Sequence, residues 1–284
     1  MVSAYNDLDR PPLDERSLQR ALMVPGGFVS ALRVLPSVES TNSALLAAAE
    51  DGAPHASVVV AEEQTAGRGR LGRAWTAPPR SGLFVSILMR PEVPVGAWTW
   101  LPLLAGVAAR EAVARTAGLE VALKWPNDIV VAKGELEGRK LGGILCETVA
   151  GAGENAIVAG IGLNVTLREH ELPVPQASSL VLAGAESTDR DPLLRALLRA
   201  FGTWYGRWSE ADGDARAAGL AEAYREACTT LGRQVRAELP GQRVVTGMAT
   251  GLDAGGALLV TTADQEEVTI GAGDVVHLRP EEAN

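Results

Sequence analysis

Thr65-Ala66-Gly67-Arg68-Gly69-Arg70-Leu71-Gly72-Arg73-Ala74-Trp75 is the stretch on which the fold turns. Its glycines, Gly67, Gly69 and Gly72, formally match the G-x-G-x-x-G of dinucleotide-binding folds, and Glu92 lies roughly twenty residues on. That fingerprint must open a helix, so that main-chain amides point at a pyrophosphate. Here Ala74–Ser81 reads AWTAPPRS, and its prolines cannot continue a helix. The run is therefore predicted to lie in a long loop, Glu62–Ser81, between the apolar strands Ser57–Ala61 and Leu83–Met89. A loop of that length without secondary structure of its own points to function.

The loop's residue types suggest which function. Glycines let the backbone approach a ligand and expose its amides. Arg68, Arg70 and Arg73 are fixed cations able to fork onto phosphate or carboxylate oxygens. Trp75 can stack on a base or cover the ligand. Together they suit a carboxylate beside a triphosphate. With Arg80, the loop carries four like charges, so mobility is expected until an anion neutralises them.

The surrounding composition narrows the class. The 284 residues are 46% hydrophobic and 21% charged, ordinary values for a globular protein, and suffice for one large and one small domain. The formal net charge is −9, so nucleic-acid binding gains nothing from counterion release and is not expected. Cys146 and Cys228 form no CxxC, and His55, His170 and His277 are isolated, so a His/Cys metal site is not expected. The polar start Met1–Asp9 has no signal-peptide core. The apolar stretch Trp98–Ala109 is too short to span a membrane. A cytoplasmic protein with no membrane partner is expected.

Outward from the loop, helices are predicted over 13–23, over Ala44–Glu50 behind a cap at Ser40-Thr41-Asn42, and over Trp98–Gly118, Asp191–Trp208 and Ala215–Leu231. Strands are predicted at Phe28–Leu35, Val121–Trp125, Ile129–Val131, Arg139–Glu147 and Ala156–Val165. After Thr229–Gly232 only short strands and turns follow: Gln234–Glu238, Arg243–Leu252, Ala257–Thr262 and Glu266–Ile270, with turns at Pro240-Gly241 and Asp253–Gly256. These read as a small all-β, SH3-type module. The expected domains are a lead-in over 1–25, a catalytic domain over 26–230 and the β module over 231–284.

Four further motifs carry polar chemistry on apolar strands. Lys124-Trp125-Pro126-Asn127-Asp128 gathers an ammonium, an amide and a carboxylate at a strand end, although a well-formed turn would use the same residues. Arg139-Lys140-Leu141-Gly142-Gly143-Ile144-Leu145 puts a lysine before paired glycines that thin the strand. Ala159-Gly160-Ile161-Gly162-Leu163-Asn164 alternates glycine along a strand and leaves one face bare. Glu39-Ser40-Thr41-Asn42 offers hydroxyls and an amide at a helix start, where capping is the simpler explanation.

In this order and spacing, the five motifs resemble the biotin–protein ligase family, closely over Val34–Val165 and more loosely into the β module. The resemblance implies an α+β fold: a class II tRNA-synthetase-like catalytic domain, with a mixed β-sheet and flanking helices, plus a C-terminal SH3-like barrel. It implies that biotin and ATP, with Mg²⁺, form biotinyl-5'-AMP, and that biotin then passes to a lysine of a biotin carboxyl carrier protein. It places Lys140, Arg70 and Asp128 in catalysis. It places Ser40, Thr41, Asn42, Gln64, Gly67, Arg68, Gly69, Arg70, Lys140 and Gly160 around biotin, with Ser40, Thr41 and Gln64 on the ureido ring. It places Arg70, Trp75, Lys124, Asn127, Lys140 and Asn164 around ATP or the adenylate. It assigns no metal ligands. A monomer or weak homodimer is expected. Roughly thirty residues precede the first matched strand, too few for a DNA-reading domain, so the single-function type is expected. The alternatives are a lipoate–protein ligase, whose Arg-Arg-x-x-Gly-Gly-Gly motif is not found, and a non-catalytic biotin-sensing regulator.

Overall fold

β1 (Ala31–Leu35) and β2 (Ser57–Ala61) pair in parallel because α2 (Thr41–Glu50) carries the chain back between them. The computed structural model describes residues 10–149, 156–239, 243–271 and 274–277. Residues 1–9 of the expected lead-in over 1–25, and the turn Pro240-Gly241, lie outside the described residues. β5 (Gly82–Met89) and β9 (Ile157–Asn164) follow antiparallel, then β8 (Lys140–Thr148), β7 (Asp128–Val131) and β6 (Val121–Lys124). Among the described residues this makes a seven-stranded mixed sheet in the order β1-β2-β5-β9-β8-β7-β6.

Both faces of the central strands are covered. That is why SVVVA in β2 and GLFVSILM in β5 read as unbroken apolar runs, buried at every position. α2 packs Leu45 and Ala49 on Val59, Leu88 and Val158. α3 (Leu101–Ala117) lies on the other face beneath α4 (Arg190–Glu210). α3 is rich in Ala and has Gly106 facing Leu123 and Ile144, where an added Cβ would stand 3.2 Å from Leu123 Cδ2. Small residues thus let the helix lie close on the sheet. Truncating a buried anchor such as Leu104 would cost about 2–5 kcal/mol.

A buried ion pair fixes the stems of the glycine–arginine loop. Arg190 Nη1 meets Glu62 Oε2 at 2.6 Å, with both side chains under 10% exposed. The same guanidinium donates to the carbonyls of Gly82 and Pro11, and Glu62 Oε1 accepts from Leu13 N. The Arg80 amide closes on Glu62 O at 2.7 Å. One charge pair therefore ties both loop ends to α4 and to the chain before α1 (Glu15–Leu22). Losing one partner of such a pair costs about 3–5 kcal/mol.

β10 (Gln234–Leu239), β11 (Arg243–Leu252), β12 (Leu258–Thr261), β13 (Glu267–Ile270) and β14 (Asp274–His277) form a separate antiparallel, SH3-like sheet in the order β13-β12-β11-β10-β14. Its turn Asp253–Gly256 is pinned to Thr99, Trp100 and Trp125 of the larger domain. Trp100 Nε1 donates to Ala254 O, Trp125 Nε1 to Gly256 O and Thr99 Oγ1 to Gly255 O, at 2.7–3.0 Å.

Several boundaries differ from those expected. The strand expected from Phe28 begins at Ala31, because Phe28 packs against His55, Phe201 and Tyr205. The helix expected from Trp98 begins at Leu101, after a 3-10 segment Val95–Trp100. The helix expected over Ala215–Leu231 is only α5 (Leu220–Ala227). Gly219, at φ +72°, precedes it, and after it Cys228 leaves to bridge Leu123. The loop is not free of secondary structure. β3 (Gly67–Arg68) and β4 (Ala74–Trp75) pair across a 3-10 turn Arg70–Gly72, closed by Gly69 N on Arg73 O at 2.7 Å. β14, a fifth strand of the small sheet, was not anticipated.

Candidate active site

The register of three strands builds a floor with few side chains. β5, β9 and β8 align Ser86 with Gly160 and Leu145, and Phe84 with Gly162 and Gly143. Because side chains alternate along a strand, both glycine positions open onto one face. Over that face lies a cavity of ≈ 570 Å³, whose rim is made by α2, the β3–β4 hairpin and the Trp125–Asp128 turn. Ser40, Thr41, Asn42, Gln64, Arg68, Gly69, Arg70, Trp75, Lys124, Asn127, Asp128, Lys140, Gly160 and Asn164 all line it. Gly67, alone of the residues expected at the site, does not. An added Cβ there would meet Trp75 O at 2.5 Å, so this glycine serves the hairpin's close approach.

One end is neutral and densely hydrogen-bonded. Gln64 Oε1 accepts from Thr41 N at 2.8 Å and lies 3.1 Å from Thr41 Oγ1. Ser86 Oγ lies 2.7 Å from Thr41 Oγ1 and 2.6 Å from Asn42 Oδ1. Asn42 Nδ2 donates to Leu145 O and to Glu147 Oε2. An added Cβ on Gly160 would stand 2.2 Å from Asn42 Oδ1, so only glycine fits there. Ser40 caps α2 through Ser43 N, as expected of it.

The other end is cationic. Arg70, Arg73, Lys124 and Lys140 gather around Asp128, the single carboxylate among the described residues that line the cavity. Lys140 Nζ meets Asp128 Oδ1 at 2.5 Å. Arg70 Nη1 donates to Asn127 Oδ1 at 3.3 Å, and Asn127 Nδ2 to Ile144 O. Burial pulls the Lys124 ammonium below the ordinary lysine range, against the pull of Asp128, and Lys140 and Arg73 add to the lowering. Burial likewise lowers Arg70, with Asp128 opposing and Arg73 adding. In a chain of net charge −9, partly desolvated cations grouped around one carboxylate mark an anion site.

Trp75 bridges the two ends. Its ring lies on the bare floor, within 3.1–3.3 Å of where Cβ atoms on Gly162 and Gly143 would stand, and Lys140 Nζ is 5.6 Å from its centroid. Its Nε1 is buried without a partner. Asn164 reaches the cavity, but its Nδ2 is engaged by Ser178 O at 2.9 Å, so it also holds down the neighbouring chain.

The Biotin/lipoate A/B protein ligase family matches residues 34–164, and the Biotin protein ligase C terminal domain matches 230–278. A biotin–[acetyl-CoA-carboxylase] ligase of Mycobacterium tuberculosis is 42% identical over 275 residues, covering 95% of this chain and 97% of that protein. The chain belongs to the biotin protein ligase family. A bifunctional ligase/repressor BirA of Bacillus subtilis is 34% identical over 81% of this chain and 68% of its own length. The biotin protein ligase of Aquifex aeolicus, solved in complex with biotin and ATP, superposes with a TM-score of 0.71 at 27% identity, covering 87% of this chain and 99% of that one. The mixed sheet with its SH3-like appendage is thus the family's α+β fold.

Within that fold, two parts of the site carried no motif in the sequence. The segment Pro173–Ala177 forms a wall, held because Lys140 N donates to Gln176 O and Ser178 N to Lys140 O, both at 2.8 Å. Ser86 and Glu147 complete the polar end. Ser86 sits in an apolar strand and Glu147 at the end of another, so neither had a local pattern to mark it. Cys146, beside Glu147, is pushed up to about 12 by burial and by that carboxylate, which leaves it an inert thiol.

Proposed function

We propose that this chain is an ATP-dependent biotin–protein ligase that forms biotinyl-5'-AMP and passes biotin to a lysine of a biotin carboxyl carrier protein of the acetyl-CoA carboxylase type. The observation that carries the proposal is the two-ended cavity. Its neutral end, at Ser40, Thr41, Asn42, Gln64 and Gly160, has the donors and acceptors for a ureido ring. Its cationic end, at Arg70, Lys124, Asn127 and Lys140, suits a carboxylate facing a triphosphate.

In this reading the biotin carboxylate attacks the α-phosphorus of ATP, which enters as its Mg²⁺ complex. A carboxylate O–P bond forms, and the P–O bond to the departing pyrophosphate breaks. Negative charge builds where two anions meet, and Lys140 and Arg70 are fixed cations at that place. Asp128, 2.5 Å from Lys140, holds that ammonium before ATP arrives. It stands beside the incoming lysine amine, whose nitrogen bonds to the adenylate carbonyl carbon as the C–O bond to AMP breaks and the amine's proton passes to the Asp128 carboxylate. Much of the remaining acceleration comes from alignment of carboxylate and phosphorus. Trp75 serves the adenine side, and Arg68 and Gly69 close the loop over biotin. The work divides between a catalytic domain over 26–230 and a β module over 231–284. The protein acts in the cytoplasm as a monomer or weak homodimer and takes no part in DNA binding.

The test is pyrophosphate exchange into ATP with purified protein. Exchange that requires biotin, and is not supported by lipoate, is expected. Exchange with lipoate and none with biotin would move the chain to the lipoate branch of its family.

A further inference from the structure

Glu147 does not line the cavity, yet the run of polar contacts Gln64–Thr41–Ser86–Asn42 at the neutral end leads to it. Arg68 Nη2 holds its carboxylate at 3.1 and 3.2 Å, and Asn42 Nδ2 donates to Oε2 at 2.7 Å. A carboxylate can only accept. The second partner of Asn42 Nδ2, the carbonyl of Leu145 at 3.1 Å, can also only accept. The Asn42 amide therefore has one orientation, with Oδ1 turned toward Ser86.

That orientation propagates. Asn42 Oδ1 cannot donate, so the single hydroxyl proton of Ser86, 2.6 Å away, goes to it. Ser86 Oγ is also 2.7 Å from Thr41 Oγ1. With the Ser86 proton committed, that contact is a hydrogen bond only if Thr41 donates to Ser86. The competing acceptor, Gln64 Oε1, is farther at 3.1 Å and already receives Thr41 N–H. Thr41 Oγ1 is left with a lone pair toward the cavity it lines. Ser86 is fully buried and Thr41 and Asn42 are 4% exposed, so water does not scramble this order.

We propose that Glu147 is a positioning residue. Through Asn42 and Ser86 it fixes Thr41 Oγ1 as acceptor for a ligand N–H, and through Arg68 it ties the glycine–arginine hairpin to the same network. The proposal rests on the biotin reading, since a cyclic urea supplies the N–H groups that such an acceptor selects. A glutamine at 147 can donate as well as accept. The Asn42 amide is then held by Leu145 O without a charged acceptor beside it, so it can turn over part of the time, and Thr41 can then turn its proton into the cavity against the ligand's own.

The experiment compares wild type, Glu147→Gln and Ser86→Ala in ATP–pyrophosphate exchange, with biotin and with analogues methylated at one or the other ring nitrogen. In Glu147→Gln the KM for biotin should rise about tenfold, as for loss of a charge-assisted hydrogen bond, while the KM for ATP stays within about twofold. The preference for biotin over the analogue lacking the recognised N–H should fall by a similar factor. Ser86→Ala, which cuts the chain midway, should show the same loss of preference. The double variant should lose no more than either alone. An active wild type with an unchanged preference in both variants would overturn the role of Glu147 and leave the ligase reading intact. A wild type without biotin-dependent exchange would overturn both.

Discussion

Lys140 is paired at 2.5 Å with Asp128, and in the proposed reaction it meets the two anions. The pair is partly exposed, so its worth to stability is within about 1 kcal/mol, whereas its worth to an anionic transition state is far larger. Lys140→Ala should therefore fold and melt nearly as wild type and form adenylate about 10²-fold more slowly or worse. Rapid-quench measurement of biotinyl-AMP, beside a thermal melt, checks both halves. Unchanged adenylation in the folded variant would remove Lys140 from the chemistry. Lys124 makes the opposite trade. Its lowered pKa means that the charged form is disfavoured in the folded, ligand-free protein. The sign follows: the cost is present at neutral pH and fades only as pH climbs through the lowered folded pKa toward the ordinary lysine value. Lys124→Met should raise the Tm of the free protein at pH 7 and raise the KM for ATP. A lower Tm would show that the ammonium is comfortable where it is. Residues of this kind were legible in the sequence, because an arginine or lysine beside glycines in an apolar run is conspicuous. Ser86, Glu147 and Gln176 were not. Their roles come from pairing register and from contacts between distant stretches, such as the 105 residues between Asn42 and Glu147.

At the scale of elements, the glycine–arginine hairpin is the part whose sequence pattern was read best and whose form was read worst. Its position between two buried strands and its lack of a following helix were evident from the prolines in Ala74–Ser81. The β3–β4 pairing was not, because a two-residue hairpin leaves no alternating pattern. The expected repulsion among Arg68, Arg70, Arg73 and Arg80 is partly relieved in the fold. Arg68 pairs with Glu147, and Arg70 bonds Asn127. The Arg68–Glu147 pair is half-exposed, whereas a buried ion pair, Glu62 with Arg190, holds the stems of the hairpin. Stems anchored in the core, with Leu71 at the tip 71% exposed, suit a lid. Hydrogen exchange across 64–81 should slow when biotin binds, and slow further with biotinyl-AMP. Arg70→Gly should still make adenylate but release it about 10-fold or more faster, labelling unrelated proteins, since one charged contact to the intermediate is worth about 1.5–3 kcal/mol. Equal protection with and without ligand, and no extra release, would mean a rigid site.

For the whole molecule, the expected α+β plan of a mixed sheet with an SH3-like appendage holds. What the sequence did not reveal is how the two sheets are joined. Trp125 stood out only as part of Lys124–Asp128, yet its indole donates to Gly256 O in a turn of the small sheet, and its main-chain N–H donates to Thr230 Oγ1. The turn that carries Lys124, Asn127 and Asp128 is thereby braced from the C-terminal side. Trp125→Phe should keep the fold and weaken ATP use more than biotin binding. Separate titrations of the two ligands would reveal this, and equal losses would argue against the brace.

One cavity joins biotin to AMP and hands it to a carrier lysine, and the decisive measurement is the intact mass of an apo carrier domain after incubation with the protein, biotin and ATP–Mg²⁺. One biotin should be added at one lysine, with none added when ATP is omitted and almost none by Lys140→Ala. A carrier left unmodified by active wild-type protein, or modified with lipoate in place of biotin, would contradict it.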